Sequence, residues 1–225
     1  MKFLKSPYLS IWLAVAVSLF ALCFWLACPP KVVFLWTEEG GPVESLTEYI
    51  YMGAMIITLL FGASILRRKT LVAILLVLGY MLAREADLHK ALFSMSMLKI
   101  KFWLSRGIPI TDKLMAAAIL LPAIWAGLYL LIIHFRPTYA AIRKRLPYAI
   151  SILMVVVVTV ISKIIDRSLN AWIETFGGSF PEWLWALQAS EEELLECLIP
   201  VLFIVAFFQY RRHVRQYGRP SFSNP

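Results

Sequence analysis

Apolar residues fall into six runs, at roughly 8–28, 46–66, 71–92, 114–134, 148–166 and 194–210, divided by short polar connections. Each approaches the ~20 apolar residues that a helix needs to cross a bilayer core about 30 Å thick. A membrane β-barrel would show weaker alternating segments of about ten residues instead. Lipid offers the backbone no water, so each span must satisfy its own amides and carbonyls as a helix. The pattern predicts an all-α polytopic membrane protein, a six-transmembrane-helix bundle forming one integral membrane domain over residues 1–225.

Two runs depart from the simple form. In the third, only residues 71–83 are continuously uncharged, and Arg84, Glu85, Asp87, His89 and Lys90 follow directly. We expect the helix to continue through them, which places Arg84/Asp87 and Asp87/Lys90 at i,i+3 and Glu85/His89 at i,i+4 near the interface. The first run could also be a cleavable signal, with Trp25-Leu26-Ala27-Cys28 loosely resembling a lipoprotein cleavage box. It is longer than the 7–15 apolar residues of a signal core, and a retained span is the expectation.

Composition and charge narrow the class. Of 225 residues 60% are hydrophobic and 16% charged, with a mean hydropathy of +0.75, where a soluble domain carries about 25% charged residues. A net charge of +8 could suggest nucleic acid. Its distribution says otherwise: the two ends and the connections 67–70 and 135–147 are basic and hold no Asp or Glu. The positive-inside rule puts those segments in the cytoplasm, which requires an even number of spans. The opposite face then carries all 14 acidic residues. Expected partners are membrane lipids and a lipid-linked substrate, with no nucleic acid; the expected location is a bacterial inner membrane, both termini cytoplasmic.

That outward face is where chemistry is expected. Glu44 and Glu48 share a face at the start of the second span, after the Gly40-Gly41 turn and Pro42. Glu44 also suits a helix N-terminus on dipole grounds. At the sixth span Ser190 and Glu193 have the spacing of a capping box, which leaves Glu196, just inside the apolar run, unexplained. Lys163, Asp166 and Arg167 close the fifth span, and a cation there is favourable on dipole grounds alone. Ionisable residues at this depth normally pair and line a functional cavity. Residues 93–112 mix Phe93, Phe102 and Trp103 with Lys99, Lys101 and Arg106, as an interfacial helix near anionic headgroups would. Residues 168–190, with Trp172, Phe176, Phe180, Trp183 and Trp185, read as a loop that supplies an aromatic belt or a lid.

Specific motifs add little. GxSxG, a Gly-rich phosphate loop, HExxH and CxxC are all missing from the chain. Cys28 and Cys197 lie toward the outward ends of their spans, open either to one bridge or to packing as small apolar residues. A divalent metal is the cofactor that Glu44, Glu85, His89 and Glu196 would take. The stretches EEGGPVESLTEYIY (38–51) and READLHKALFSMSMLK (84–99) resemble those of bacterial polytopic inner-membrane proteins of similar length. That resemblance covers the first half of the chain and implies a location but no mechanism. A fainter one, to ceramidase-like transmembrane hydrolases, stops at the zinc-binding histidines, of which this chain has one on the outward face.

Two functions are compatible with these residues. In one, Arg84, Lys90, Lys99 and Lys101 hold an anionic headgroup of a lipid or lipid-linked substrate, while Glu44, Asp87 and His89 do acid/base work. In the other, a non-enzymatic membrane protein, a small transporter or an assembly partner, uses the charge cluster structurally. No inverted repeat favours transport, and Pro122 and Pro200 are the only interruptions near a midplane.

Overall fold

A computed structural model describes residues 3–38, 40–88, 92–93, 95, 97, 99–105 and 107–218. Among them every regular element is helical. After a single 3-10 turn at Phe3–Lys5 come α1 (Leu9–Ala27), α2 (Pro30–Thr37), α3 (Pro42–Ile65) and α4 (Arg68–Glu85). They are followed by α5 (Ile100–Leu104), α6 (Ile110–Arg143), α7 (Pro147–Phe176) and α8 (Glu182–Tyr217). Five segments are long and apolar enough to cross a membrane: α1, α2–α3 taken together, α6, α7 and α8. The shorter α4 carries Arg68 and Lys69 at one end and Arg84 and Glu85 at the other.

The helix ends differ from those the hydropathy pattern suggests, because that pattern registers only the lipid-facing middle of a helix. At 1.5 Å per residue α6, α7 and α8 are about 51, 45 and 54 Å long, well beyond a ~30 Å core. The expected loop at 168–190 is therefore mostly helix, and only residues 177–181 connect α7 to α8. The stop is chemical: Gly177 and Gly178 take positive φ, and Pro181 is the N-cap residue of α8. Ser190 is consequently no N-cap. It lies inside α8, fully buried, and its hydroxyl donates to the Ala21 carbonyl of α1 at 3.1 Å. The third expected span also ends early, since α4 stops at Glu85 and Asp87 adopts φ 46°, which an α-helix cannot contain.

The chain forms two compact units, residues 1–50 with 138–225, and 51–137. In the first, α8 is the central helix. α1 runs antiparallel to it, with Trp25 Nε1 donating to the Trp183 carbonyl at 2.8 Å, Ser190 against Ala21, and Leu13, Ala14 and Val17 packed on the cluster around Leu198 and Leu202. α7 is antiparallel to α8 as well: Ser151 Oγ donates to Gln209 Oε1 at 2.7 Å near one end, and Gln188 Nε2 donates to the Asp166 carbonyl near the other. The same register separates two cysteines. Cys28 lies a turn beyond the Trp183 level and Cys197 at the level of Leu13–Val17, about 20 Å apart along the helix axis, far outside disulfide reach.

In the second unit α3 and α4 form an antiparallel pair joined at Leu66-Arg67. A Cβ at Gly62 would lie 2.6 Å from Leu71 Cδ1, and one at Gly79 would lie 3.7 Å from Met55 Cε. Gly62 thus lets Leu71 of the facing helix pack closely, and Gly79 marks where Met55 meets α4. Thr70 Oγ1 and His134 Nε2, 3.2 Å apart, join α4 to α6.

Both units are apolar outside and partly polar inside. Trp12, Leu26, Leu60, Leu131, Ile132 and Ile164 are exposed, whereas Ser10, Thr58, Ser151, Ser162 and Ser190 are fully buried. In lipid no hydrophobic force drives helices together, so small residues and polar pins sit at the contacts while large apolar ones face the chains.

Candidate functional site

In unit 51–137 the C-terminal end of α4 is built against α6 by aromatic packing. Phe93, Met97, Phe102, Ile108 and Ala116 form a buried cluster, flanked by Tyr80, Met95, Trp103 and Ile119. Phe102 stacks edge-on against both Phe93 and Trp103, and Trp103 Nε1 donates to the Met97 carbonyl at 2.9 Å. Beside this cluster lies an open cleft of about 110 Å³, lined by Tyr80, Ala83, Leu88, Leu92, Met97 and Ile119, with Arg84 as the one charged lining residue among those described. Apart from Arg84 and the Tyr80 hydroxyl, its described lining side chains are apolar.

The charges expected near that cleft are partly in place. Arg84 Nη1 is 3.8 Å from Glu85 Oε1, and the Glu85 side chain is buried. Asp87 follows in its left-handed turn, its amide donating to the Arg84 carbonyl at 3.2 Å. Lys99 and Lys101 are exposed around α5, and Lys113 Nζ donates to the Ser105 carbonyl at 2.8 Å. The interfacial helix expected over 93–112 is reduced to the single turn α5, whose Ile100 and Leu104 are each 77% exposed. His89, Lys90 and Arg106 lie outside the described residues.

Unit 1–50 with 138–225 holds a second constellation, centred on a residue the sequence assigned to dipole compensation. Lys163 Nζ lies 2.5 Å from Glu196 Oε1, 3.5 Å from Asp166 Oδ2 and 3.7 Å from Glu192 Oε1. Glu196 is only 4% exposed, while the Lys163 side chain is 39% exposed. Lys163 is 16 residues beyond Pro147, and Glu196 is 15 residues before Arg211. Both therefore stand about 22–24 Å from the arginine-bearing end of the α7–α8 pair. Pro200, one turn after Glu196, has no N–H to close a helical bond onto the Glu196 carbonyl, so backbone polarity concentrates at the same level. Gln188, Glu192 and Glu196 are successive i,i+4 positions, one stripe of α8 directed at α7. The i,i+4 spacing of Glu192 and Glu196 is legible in the sequence; Gln188 joins the stripe only because α8 begins at Glu182 rather than near residue 194.

Two further expected residues lie at the start of α3. Glu44, in the first turn of α3, accepts the Gly40 amide through Oε2 and closes the turn before the helix. Gly41 in that turn is required sterically, because a Cβ there would lie 2.7 Å from the Glu38 carbonyl oxygen. Glu48 is half-buried one turn further on. Among the described residues no three His, Cys, Asp or Glu side chains are placed to hold a metal. Glu196, an expected ligand, instead has an ammonium against its carboxylate. Of the residues expected on the outward face, Glu44, Glu48 and the Lys163 cluster belong to one unit, and Arg84, Glu85 and Asp87 to the other. No protein-family model, curated protein or solved structure matches the chain.

Proposed function

We propose that this chain is a six-span protein of a bacterial inner membrane, both termini cytoplasmic, that binds an amphiphile with an anionic head in the cleft at the outer end of α4. The cleft itself carries the reading: a groove walled by Tyr80, Leu88, Leu92, Met97 and Ile119 suits a short length of hydrocarbon, and Arg84 is positioned for a phosphate or carboxylate. Lys99 and Lys101, exposed on the adjoining segment, add positive charge where a headgroup would lie. Acid/base modification of that molecule would fall to Asp87 and His89. The sixth span is supplied by α4, because its antiparallel pairing with α3 from Gly62–Leu71 to Met55–Gly79 carries it back across whatever depth α3 crosses.

Lipid extraction and mass spectrometry of the purified protein test this. Wild type is expected to retain an anionic amphiphile through detergent exchange; Ala83→Trp, which fills the cleft, should lose it. Arg84→Gln should lose the preference for anionic heads while still admitting a chain. Equal retention by wild type and Ala83→Trp would overturn the proposal.

A second reading applies to the other unit, where Lys163 among Asp166, Glu192 and Glu196 favours a structural role. One ammonium shared by carboxylates on two helices ties α7 to α8 inside a low-dielectric layer.

A further inference from the structure

The end of unit 1–50 with 138–225 opposite the Lys163 cluster gathers a second set of charged residues, basic in sequence: Arg143, Lys144, Arg145, Arg211 and Arg212. α6 closes in a Schellman turn: the Arg145 amide donates to the Ile142 carbonyl at 2.8 Å, the Leu146 amide to the Ala141 carbonyl at 3.1 Å, and Leu146 packs with Ala141. The position after the cap in this motif is left-handed and is normally glycine. Here it is Arg145, at φ 53°. An arginine in that conformation works against the backbone, so its side chain is the reason to look for a use.

The turn packs beside a cluster of rings. Tyr148, 8% exposed, follows the turn and stacks with Tyr210 at 5.3 Å and His213 at 5.1 Å. Arg143, Lys144 and Arg145 lie between Ile142 and Leu146, both packed on this ring cluster together with Tyr210, while Arg211 and Arg212 lie between Tyr210 and His213. Two basic runs from separate helices are therefore brought to one apolar platform, with no acidic residue within 138–148 or 197–218. Orientation in the membrane needs only positive charge, which lysine supplies equally. Of Arg143, Lys144, Arg145, Arg211, Arg212 and Arg215 all but one are arginine, the side chain whose planar fork grips phosphate oxygens in pairs.

We propose that this platform is a headgroup site for an anionic phospholipid of the leaflet it borders. Arg143 and Arg145 from the α6–α7 turn and Arg211 and Arg212 from α8 take the phosphate, and the acyl chains run down the exposed apolar faces below. The proposal rests on the membrane orientation above only for the name of the leaflet. It is independent of the α4 cleft, whose occupant is scored by extraction from Ala83→Trp.

Thermal denaturation of the full-length protein in detergent, with added phosphatidylglycerol, phosphatidylcholine or inorganic phosphate, tests it. Phosphatidylglycerol should raise the Tm and the other two should not. Arg145→Gly, which relieves the left-handed residue, should keep or raise the basal Tm and lose most of the phosphatidylglycerol shift. Arg211→Lys with Arg212→Lys, at unchanged net charge, should weaken the shift as well. Equal shifts from the two lipids, a full shift in Arg145→Gly, or a full shift from inorganic phosphate would each overturn the proposal. A lowered basal Tm in Arg145→Gly would also do so, because it would assign the arginine to the fold.

Discussion

Lys163 shows what one side chain contributes in this setting. Its ammonium is held 2.5 Å from a carboxylate that is almost wholly buried, in a layer where an unpaired charge has little solvent to turn to. Breaking a fully buried pair costs about 3–5 kcal/mol; because the lysine itself is 39% exposed, about 2 kcal/mol is the expected loss for Lys163→Met. Adding Glu196→Gln should recover most of that loss, since the stranded carboxylate is then gone. Denaturation of the purified variants in detergent checks both, and an unchanged midpoint in Lys163→Met would remove the structural role. The sequence left Glu196 without a capping explanation, and that was a correct signal. Its partner was not readable, because Lys163 precedes it by 33 residues and meets it only through the register of α7 on α8.

At the scale of elements, the runs of apolar residues located the helices and misplaced their ends. Helix α3 begins at Pro42 as expected, since proline fits the first turn. The start of α8 was placed twelve residues late, because the segment from Glu182 onward is helical without being apolar enough to register as a span. Ser190 and Glu193 then imitated a capping box inside a continuous helix. The α3–α4 register shows at two glycines whose neighbours lie on the facing helix, out of sight of the local sequence. Gly62 faces Leu71 and Gly79 faces Met55, so in a background with Cys23, Cys28 and Cys197 replaced, Met55→Cys with Gly79→Cys should be joined in membranes by a short bifunctional thiol reagent. Met55→Cys with Leu71→Cys should not, because Leu71 and Gly79 stand about 12 Å apart along α4. Equal crosslinking of the two pairs would exclude this register.

For the whole molecule the question is how many times the chain crosses. Counted by apolar length alone, α4 is left out and five candidates remain; counted by its pairing with α3, α4 crosses and the number is six. The two counts place residue 144 on opposite sides. In the cysteine-replaced background an impermeant maleimide should label Glu38→Cys and Gly178→Cys in intact cells. It should reach Arg67→Cys and Lys144→Cys only after permeabilisation. Labelling of position 144 from outside would establish five spans and a different orientation for α7 and α8.

Hydropathy and charge are properties of local stretches of chain, and they add along it without reference to neighbours. For that reason the sequence by itself determined that the protein is helical, that it belongs in a membrane, and which connections gather its basic residues. Contacts between helices depend instead on register between segments far apart in the chain. Only the tertiary structure decided that Lys163 meets Glu196, that Arg84 borders an apolar cleft, that Cys28 and Cys197 stand apart, and that Arg145 and Arg211 share one platform.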